Sequence, residues 1–347
     1  MKKLIKGTGG ITIAVASCLL VGSMMSVASA SPKSSHASSA VWTQAEVTAA
    51  TGNNNVVNVY NVPKADKGKY RLAFINPNLG YPYFADWAKG YKAAAKLYGV
   101  KLYQAGMGNF DFAEAISEYD TLAYLKPQVV GTLDPSAEGL LQAVKAHKSI
   151  LMPIDIAIPG DKYYWGVPDA SAGAIGGVAL GKAVAAKWPG QNVLFVGLEQ
   201  ADTSATVQRL AGALAGYKSV VGGTVTSDMV DQGTASTEAT GQSTMADVLT
   251  AHPGQKIALV TENDESGGGA LTAIQAAGDS ANVLEVTLGG DPYGQSLFKT
   301  SGGVVVAEVD FNPYAEAFTW VQAALAILNH KPYKQYTVTH LFTPQNP

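Results

Sequence analysis

The chain has 347 residues, with 24 basic side chains against 27 acidic ones, a formal charge of -3 and one cysteine. No basic run occurs, which argues against nucleic acid and anionic membrane surfaces as partners, and one cysteine cannot build a disulfide framework. The length exceeds the roughly 150 to 200 residues that a single core usually supports, so two domains held by apolar burial are expected.

Residues 1–30 read as an export signal. Lys2, Lys3 and Lys6 form a basic start, residues 11–27 are mostly apolar or small, and Ala28-Ser29-Ala30 offers a small-x-small cleavage site. Removing the three lysines takes the formal charge from -3 to -6. Val15-Ala16-Ser17-Cys18 also resembles the box at which bacterial lipoproteins are cut, so a lipid anchor at Cys18 stands as the alternative to cleavage after Ala30. Either route places the protein in the periplasm or at the cell surface. Residues 31–69, rich in Ser, Ala, Asn and Thr, have the composition of a flexible tether, with strand propensity confined to 55–62.

From Tyr70 the pattern changes. The run 70–75 is a buried-strand sequence, a Pro/Gly/Asn loop follows to Tyr81, and 84–98 has helical periodicity. The same strand-loop-helix unit recurs as strand 128–133 with helix 137–147, strand 150–154, strand 192–197 with helix 205–220, strand 256–261 with helix 268–278, and strand 283–288. Near-continuous apolar strands alternating with helices predict an α/β fold of doubly wound parallel sheets covered on both faces. Ligands of such sheets bind beyond the carboxyl ends of the strands. The loops to inspect are therefore 76–84, 134–138, 155–160, 198–204, 262–267 and 289–294.

Catalytic signatures are missing from the sequence. The five histidines are scattered without metal-type spacing, and neither a Gly-x-Ser-x-Gly elbow nor a Walker-type phosphate loop occurs. No metal, cofactor or enzymatic activity is expected. Gly173, Gly177 and Gly181 recur every four residues on one helix face, which suits close helix packing better than a phosphate loop.

Two blocks carry a family resemblance: Leu79-Gly80-Tyr81-Pro82-Tyr83-Phe84, and Leu249 to Pro253 followed by Glu262-Asn263-Asp264-Glu265 and Gly269 to Gly278. From about Tyr70 onward the chain resembles the periplasmic sugar-binding proteins of ABC importers, in the ribose-binding branch of the type I periplasmic binding protein fold. That resemblance implies two doubly wound lobes joined by a three-segment hinge, with 70–168 plus 312–335 in lobe one and 169–311 plus 336–347 in lobe two. It implies a monomer that captures a sugar or polyol between the lobes and hands it to an ABC transporter permease. The alternative use of the same clamp is as a ligand sensor for a chemoreceptor or sensor kinase.

The family's site residues match here at Tyr83 and Phe84, Asp155, Arg209 and Asn263. Taken singly each has a plainer reading: Phe84 as core, Asp155 as a turn or cap residue, Arg209 as a solvated helix charge, Asn263 as a helix cap. All of them fall on the ligand-side loops or the helix that follows one, which favours binding. Four departures accompany the matches. Ile156 stands where the ribose branch has arginine, Tyr81 where it has asparagine and Phe311 where it has glutamine, while Gly289 replaces a second aspartate, with Asp291 two positions on. Tyr81, Phe311 and Asp291 are therefore counted with the ligand-binding set. Trp165, before the Pro168-Asp169 crossing, is read either as a shelf over the cleft or as core, and Asp169 as a helix cap. Unpaired hydroxyls cost about 1 to 3 kcal/mol each, so a ligand with fewer hydroxyls or a larger apolar face than ribose is expected.

Overall fold

The computed structural model describes residues 68–346 except 109, 135, 136, 234 and 334–339. The expected export signal, Cys18 and most of the expected tether lie outside the described residues.

Strand β1 (Arg71–Asn76) is buried at every position after Arg71, as a strand covered on both faces requires. It pairs in parallel with β2 (Lys101–Gly106) on one side and β3 (Val129–Thr132) on the other, and β4 (Ile150–Leu151) completes the first sheet in the order β2-β1-β3-β4. The expected strand 150–154 stops at Leu151. Pro153 has no N–H to donate to a ladder, and its carbonyl instead accepts from the Trp165 amide at 2.9 Å. Helices α1 (Pro82–Tyr98), α2 (Ala115–Ala123) and α3 (Glu138–Ala146) complete the units around this sheet. Its core is aromatic: the Phe74 ring lies 4.4 Å from that of Tyr91 and packs edge-on against Trp87 and Trp320.

The second sheet runs β10-β9-β8-β7-β5-β6. Its strands are β5 (Val193–Glu199), β6 (Ser227–Asp231), β7 (Lys256–Thr261), β8 (Val283–Gly289), β9 (Val305–Asp310) and β10 (His340–Phe342), all parallel except β10 against β9. Helices α4 (Asp169–Lys187), α5 (Ser204–Val221), α6 (Glu238–Ala251), α7 (Asp264–Ala276) and α8 (Pro292–Thr300) cover it. The glycine stripe does what its spacing predicts. A Cβ on Gly173 would fall on the carbonyl of Arg209 and one on Gly177 on that of Ala213, while Gly212 and Gly216 of α5 stand against the carbonyls of Ala170 and Ala174 in return. The two backbones pack at a distance only glycine permits. Gly269 of α7 meets the Glu238 carbonyl of α6 in the same way, so Ser266-Gly267-Gly268-Gly269 is also a packing seam.

Between the sheets the chain passes through 152–168 into α4. It passes again through 311–312 into α9 (Pro313–Leu328), which packs on α1, and a last time beyond Leu328 to reach β10. The result is an α/β protein of two parallel-sheet lobes, and the carboxyl ends of both sheets face one cleft. No helix among the described residues is long and apolar enough to cross a membrane.

Candidate ligand-binding site

A cavity of about 310 Å³ occupies the cleft. From lobe one it receives Tyr81, Tyr83, Phe84, Phe110, Phe112 and Leu133, and from the crossing segments Asp155, Ile156 and Phe311. Lobe two supplies the polar wall: Gln200, Asp202 and Thr203 before α5, Thr206 and Arg209 on it, and Glu262, Asn263, Asp264 and Glu265 at the start of α7. One wall is thus aromatic and the other charged.

Arg209 organises the charged wall. Its place on α5, three and four residues beyond Thr206 and Ala205, puts all three on the cavity face of the helix. Nε donates to Oδ1 of Asp169 at 2.7 Å, Nη1 reaches Oε2 of Glu262 at 3.5 Å, Nη2 stands 3.8 Å from Oδ2 of Asp155, and the guanidinium lies 4.8 Å from the centroid of the Phe311 ring. Burial alone would lower the guanidinium pKa, but the charges of Asp169, Asp155 and Glu262 more than offset it and hold the group protonated. Burial also raises Asp169, to about 7, against the pull of Arg209.

Asp155 has φ 56°, a left-handed backbone uncommon for a residue with a side chain, at the turn where the chain leaves lobe one. Its Oδ1 accepts the Val167 amide at 3.1 Å. Its carboxyl also meets that of Glu316, whose Oε2 accepts from the Tyr83 hydroxyl at 2.9 Å and from Trp87 Nε1 at 2.8 Å. Burial and then the charge of Asp155 push Glu316 well above the usual carboxylate range, so the two carboxyls share a proton. A second buried acid pair lies under the lobe-two wall. Oδ2 of Asp264 and Oε1 of Glu308 each accept the Gly290 amide at 3.0 Å, and burial raises both carboxyls.

Residues 72–332, three quarters of the chain, match the family model described as periplasmic binding protein domain. The chain belongs to this family. By structure the binding protein is similar to an ABC transporter periplasmic solute-binding protein from Actinobacillus succinogenes with bound D-allose, at 17% identity and a TM-score of 0.69 over 80% of this chain and 99% of that one. It is similar also to a carbohydrate transporter solute-binding protein from Agrobacterium radiobacter in complex with D-arabinose, at 20% identity and 0.69 over 81% and 96% of the two chains. A protein from Mycobacterium smegmatis in complex with β-D-fucofuranose gives 21% identity and 0.64 over 80% and 92%. These likenesses establish the type I periplasmic binding protein fold. No curated protein matches the chain by sequence.

Of the expected site residues, Tyr81, Tyr83, Phe84, Asp155, Arg209, Asn263 and Phe311 line the cavity of the binding protein. Asn263 also caps α7, its side-chain oxygen accepting from Ser266 N and its amide donating to Ser236 O, each at 2.8 Å. Two of the nine do not reach the cavity. Trp165 is fully buried in the lobe-one core, because the Pro153 and Asp155 backbone pairs on either side of it turn its ring inward and Nε1 donates to the Glu316 carbonyl at 3.3 Å. Asp291 is the N-cap of α8, accepting from Tyr293 N at 2.7 Å and Gly294 N at 2.9 Å. Asp169, read as a cap, makes no side-chain cap bond; its carboxylate serves Arg209 instead.

The departure at Gly289 has a steric reason. A Cβ there would collide with the Asp264 carboxyl, which fills the space a second aspartate would need. Glu262, Asp264, Glu265, Phe110, Phe112 and Glu316 are absent from the sequence-based set. The first three stand in the quoted Glu262-Asn263-Asp264-Glu265 block, and Glu316 is the lone charged residue in a mostly apolar helix, a signal that could have been used.

Proposed function

We propose that this protein captures a small hydroxylated solute, a sugar or polyol, in the cleft and delivers it to an ABC transporter permease from outside the cytoplasm. The observation that carries the reading is the cavity itself. Its volume of about 310 Å³ is at the small end of the roughly 300 to 1,000 Å³ typical of ligand sites, and both lobes contribute to its wall. The aromatic side offers ring faces for a C–H surface, and Arg209, Asp155, Asn263 and Gln200 offer donors and acceptors for hydroxyls. A solute touching both walls favours the closed arrangement, since a ligand biases a hinge only through contacts it makes better in one state. Binding and release suffice for this task, so no bond is made or broken.

Ile156, Phe311 and Gly289 on the wall replace polar partners with apolar surface or backbone, which disfavours ribose relative to a ligand with a larger apolar face. The D-allose, D-arabinose and β-D-fucofuranose of the similar structures set the range of candidates. A thermal-shift screen of pentoses, hexoses, deoxysugars, polyols and nucleosides tests the reading. A solute at 100 times its Kd should stabilise the protein by about 2.7 kcal/mol. If none of these classes shifts the melting curve while an unrelated class does, the reading is wrong.

A further inference from the structure

Acidic groups outnumber basic ones on the cavity wall. Asp155, Asp202, Glu262, Asp264 and Glu265 face one cation, Arg209, whose guanidinium is already taken up by Asp169, Glu262 and Asp155. Glu265 is left over. The residue lines the cavity, is 7% exposed and makes no ion pair among the described residues, and its Oε1, itself shielded from solvent, has no hydrogen-bond partner. Tyr81 lines the same cavity from lobe one, and burial first, then the charges of Glu265, Glu238 and Glu262, raise its hydroxyl.

The aromatic wall has a matching shape. Tyr81 and Phe110 stand at 88° with centroids 4.9 Å apart, and Phe84 and Phe110 at 65° and 5.7 Å. Rings so inclined make a corner rather than a flat shelf, and a compact cation fits against one ring face in such a corner better than the flat face of a sugar ring does. Phe311 is excluded from this role because Arg209 already covers it.

We propose that the solute carries a protonated amine, held between the Glu265 carboxylate of lobe two and the Tyr81 and Phe110 rings of lobe one. This rests on the solute-clamp reading above and narrows it from a neutral sugar or polyol to an amino sugar or amino polyol. A hydroxyl can pair with the protonated Glu265 carboxyl but gains nothing from its ionisation, whereas an ammonium both donates hydrogen bonds to it and stabilises its carboxylate form. Burial, then the charges of Asp291 and Asp264, raise Glu265 to about 9, so the empty site holds the carboxyl protonated and arrival of the cation displaces that proton to solvent.

The test compares matched pairs on the whole protein: D-glucosamine with D-glucose, D-galactosamine with D-galactose, D-mannosamine with D-mannose, and N-methyl-D-glucamine with D-glucitol. Affinities are measured by calorimetry near neutral pH in two buffers of different ionisation enthalpy. At least one amine should bind about tenfold or more tighter than its neutral twin, with release of a proton that the twin does not cause. Glu265→Gln should lower the amine-to-neutral ratio by about tenfold. Should that variant not fold, the wild-type ratio and the proton count decide. Neutral twins binding as well as the amines would overturn the proposal and leave the solute clamp standing. An amine preference that survives Glu265→Gln would remove Glu265 from the role. Failure of every pair would sink this proposal and leave the sugar-or-polyol reading to the wider thermal-shift screen.

Discussion

Arg209 meets three carboxylates with its side chain 9% exposed, so water cannot replace it. Removing one partner of a buried charge set costs about 3 to 5 kcal/mol, because the others are stranded. Arg209→Met should therefore destabilise the fold by an amount in that range at pH 8, and by less at pH 5, below the raised pKa of Asp169, where that carboxyl is protonated and no longer a stranded charge; chemical denaturation at the two pH values measures both. Glu316 offers a contrast between two substitutions. Glu316→Ala leaves the Tyr83 hydroxyl and the Trp87 N–H buried without an acceptor, at about 1 to 3 kcal/mol each. Glu316→Gln retains an oxygen for both, and its amide N–H takes the place of the proton shared with Asp155, so its melting temperature at pH 8 should equal or exceed that of the parent protein. Partners like these were beyond reach of sequence reasoning. Glu316 and Tyr83 are 233 positions apart, and no local rule selects one lone acid on an apolar helix as the acceptor for a tyrosine that far away.

At the scale of elements, the seam between α4 and α5 separates two opposing effects on a glycine. Replacing Gly by Ala inside a helix gains about 1 kcal/mol from propensity, whereas forcing a methyl into a filled contact costs about 1 to 3 kcal/mol and more where the contact is backbone. At Gly173 the new methyl meets the Arg209 carbonyl, so Gly173→Ala should lower the melting temperature and also displace Arg209 in the cleft, weakening solute binding. Gly139 of α3 is exposed, and a Cβ there meets only the tip of the Ile116 side chain at 3.0 Å; Gly139→Ala should be neutral or stabilising. The four-residue glycine period was legible because it reports one helix face. The strand β6 was not, since Ser227–Asp231 is largely polar at a sheet edge and its place in the sheet comes from pairing with β5. The helix α9 was missed for the opposite reason: it is buried all round, so it has no amphipathic stripe to read.

The whole molecule carries an unusual load of buried acid. Asp169 is raised to about 7 and Glu265 to about 9, and Asp264, Glu308, Glu285 and Glu316 are all raised, each first by burial. A carboxyl whose pKa is higher in the folded than in the unfolded chain favours folding fully below its unfolded value, near 4, and loses that contribution as pH climbs through the folded value. The melting temperature should fall steadily between pH 5 and pH 9. For a chain of this size each kcal/mol lost corresponds to about 2 to 4 °C. Calorimetric scans across that range give the slope, and a flat or rising profile would contradict the assignment of these carboxyls as protonated. Saturation with an amino sugar should flatten the upper end of the curve, because the bound ammonium stabilises the charged form of Glu265.

The sequence by itself determined the α/β class, the position of most strands and several of the loops that line the cleft, because strand and helix periodicities are local and the central strands of a covered parallel sheet must be apolar. It also pointed to Asp155, Arg209 and Asn263, which lie on those loops or one helical turn beyond. Tertiary structure alone decided where the side chains of loop residues point. It turned Trp165 into the core, made Asp291 a cap, gave Asp169 to Arg209, and set the Asp264 carboxyl where a side chain at Gly289 would stand. Those outcomes depend on partners far away in sequence, and on which buried charge finds its counter-charge, so no window along the chain contains them.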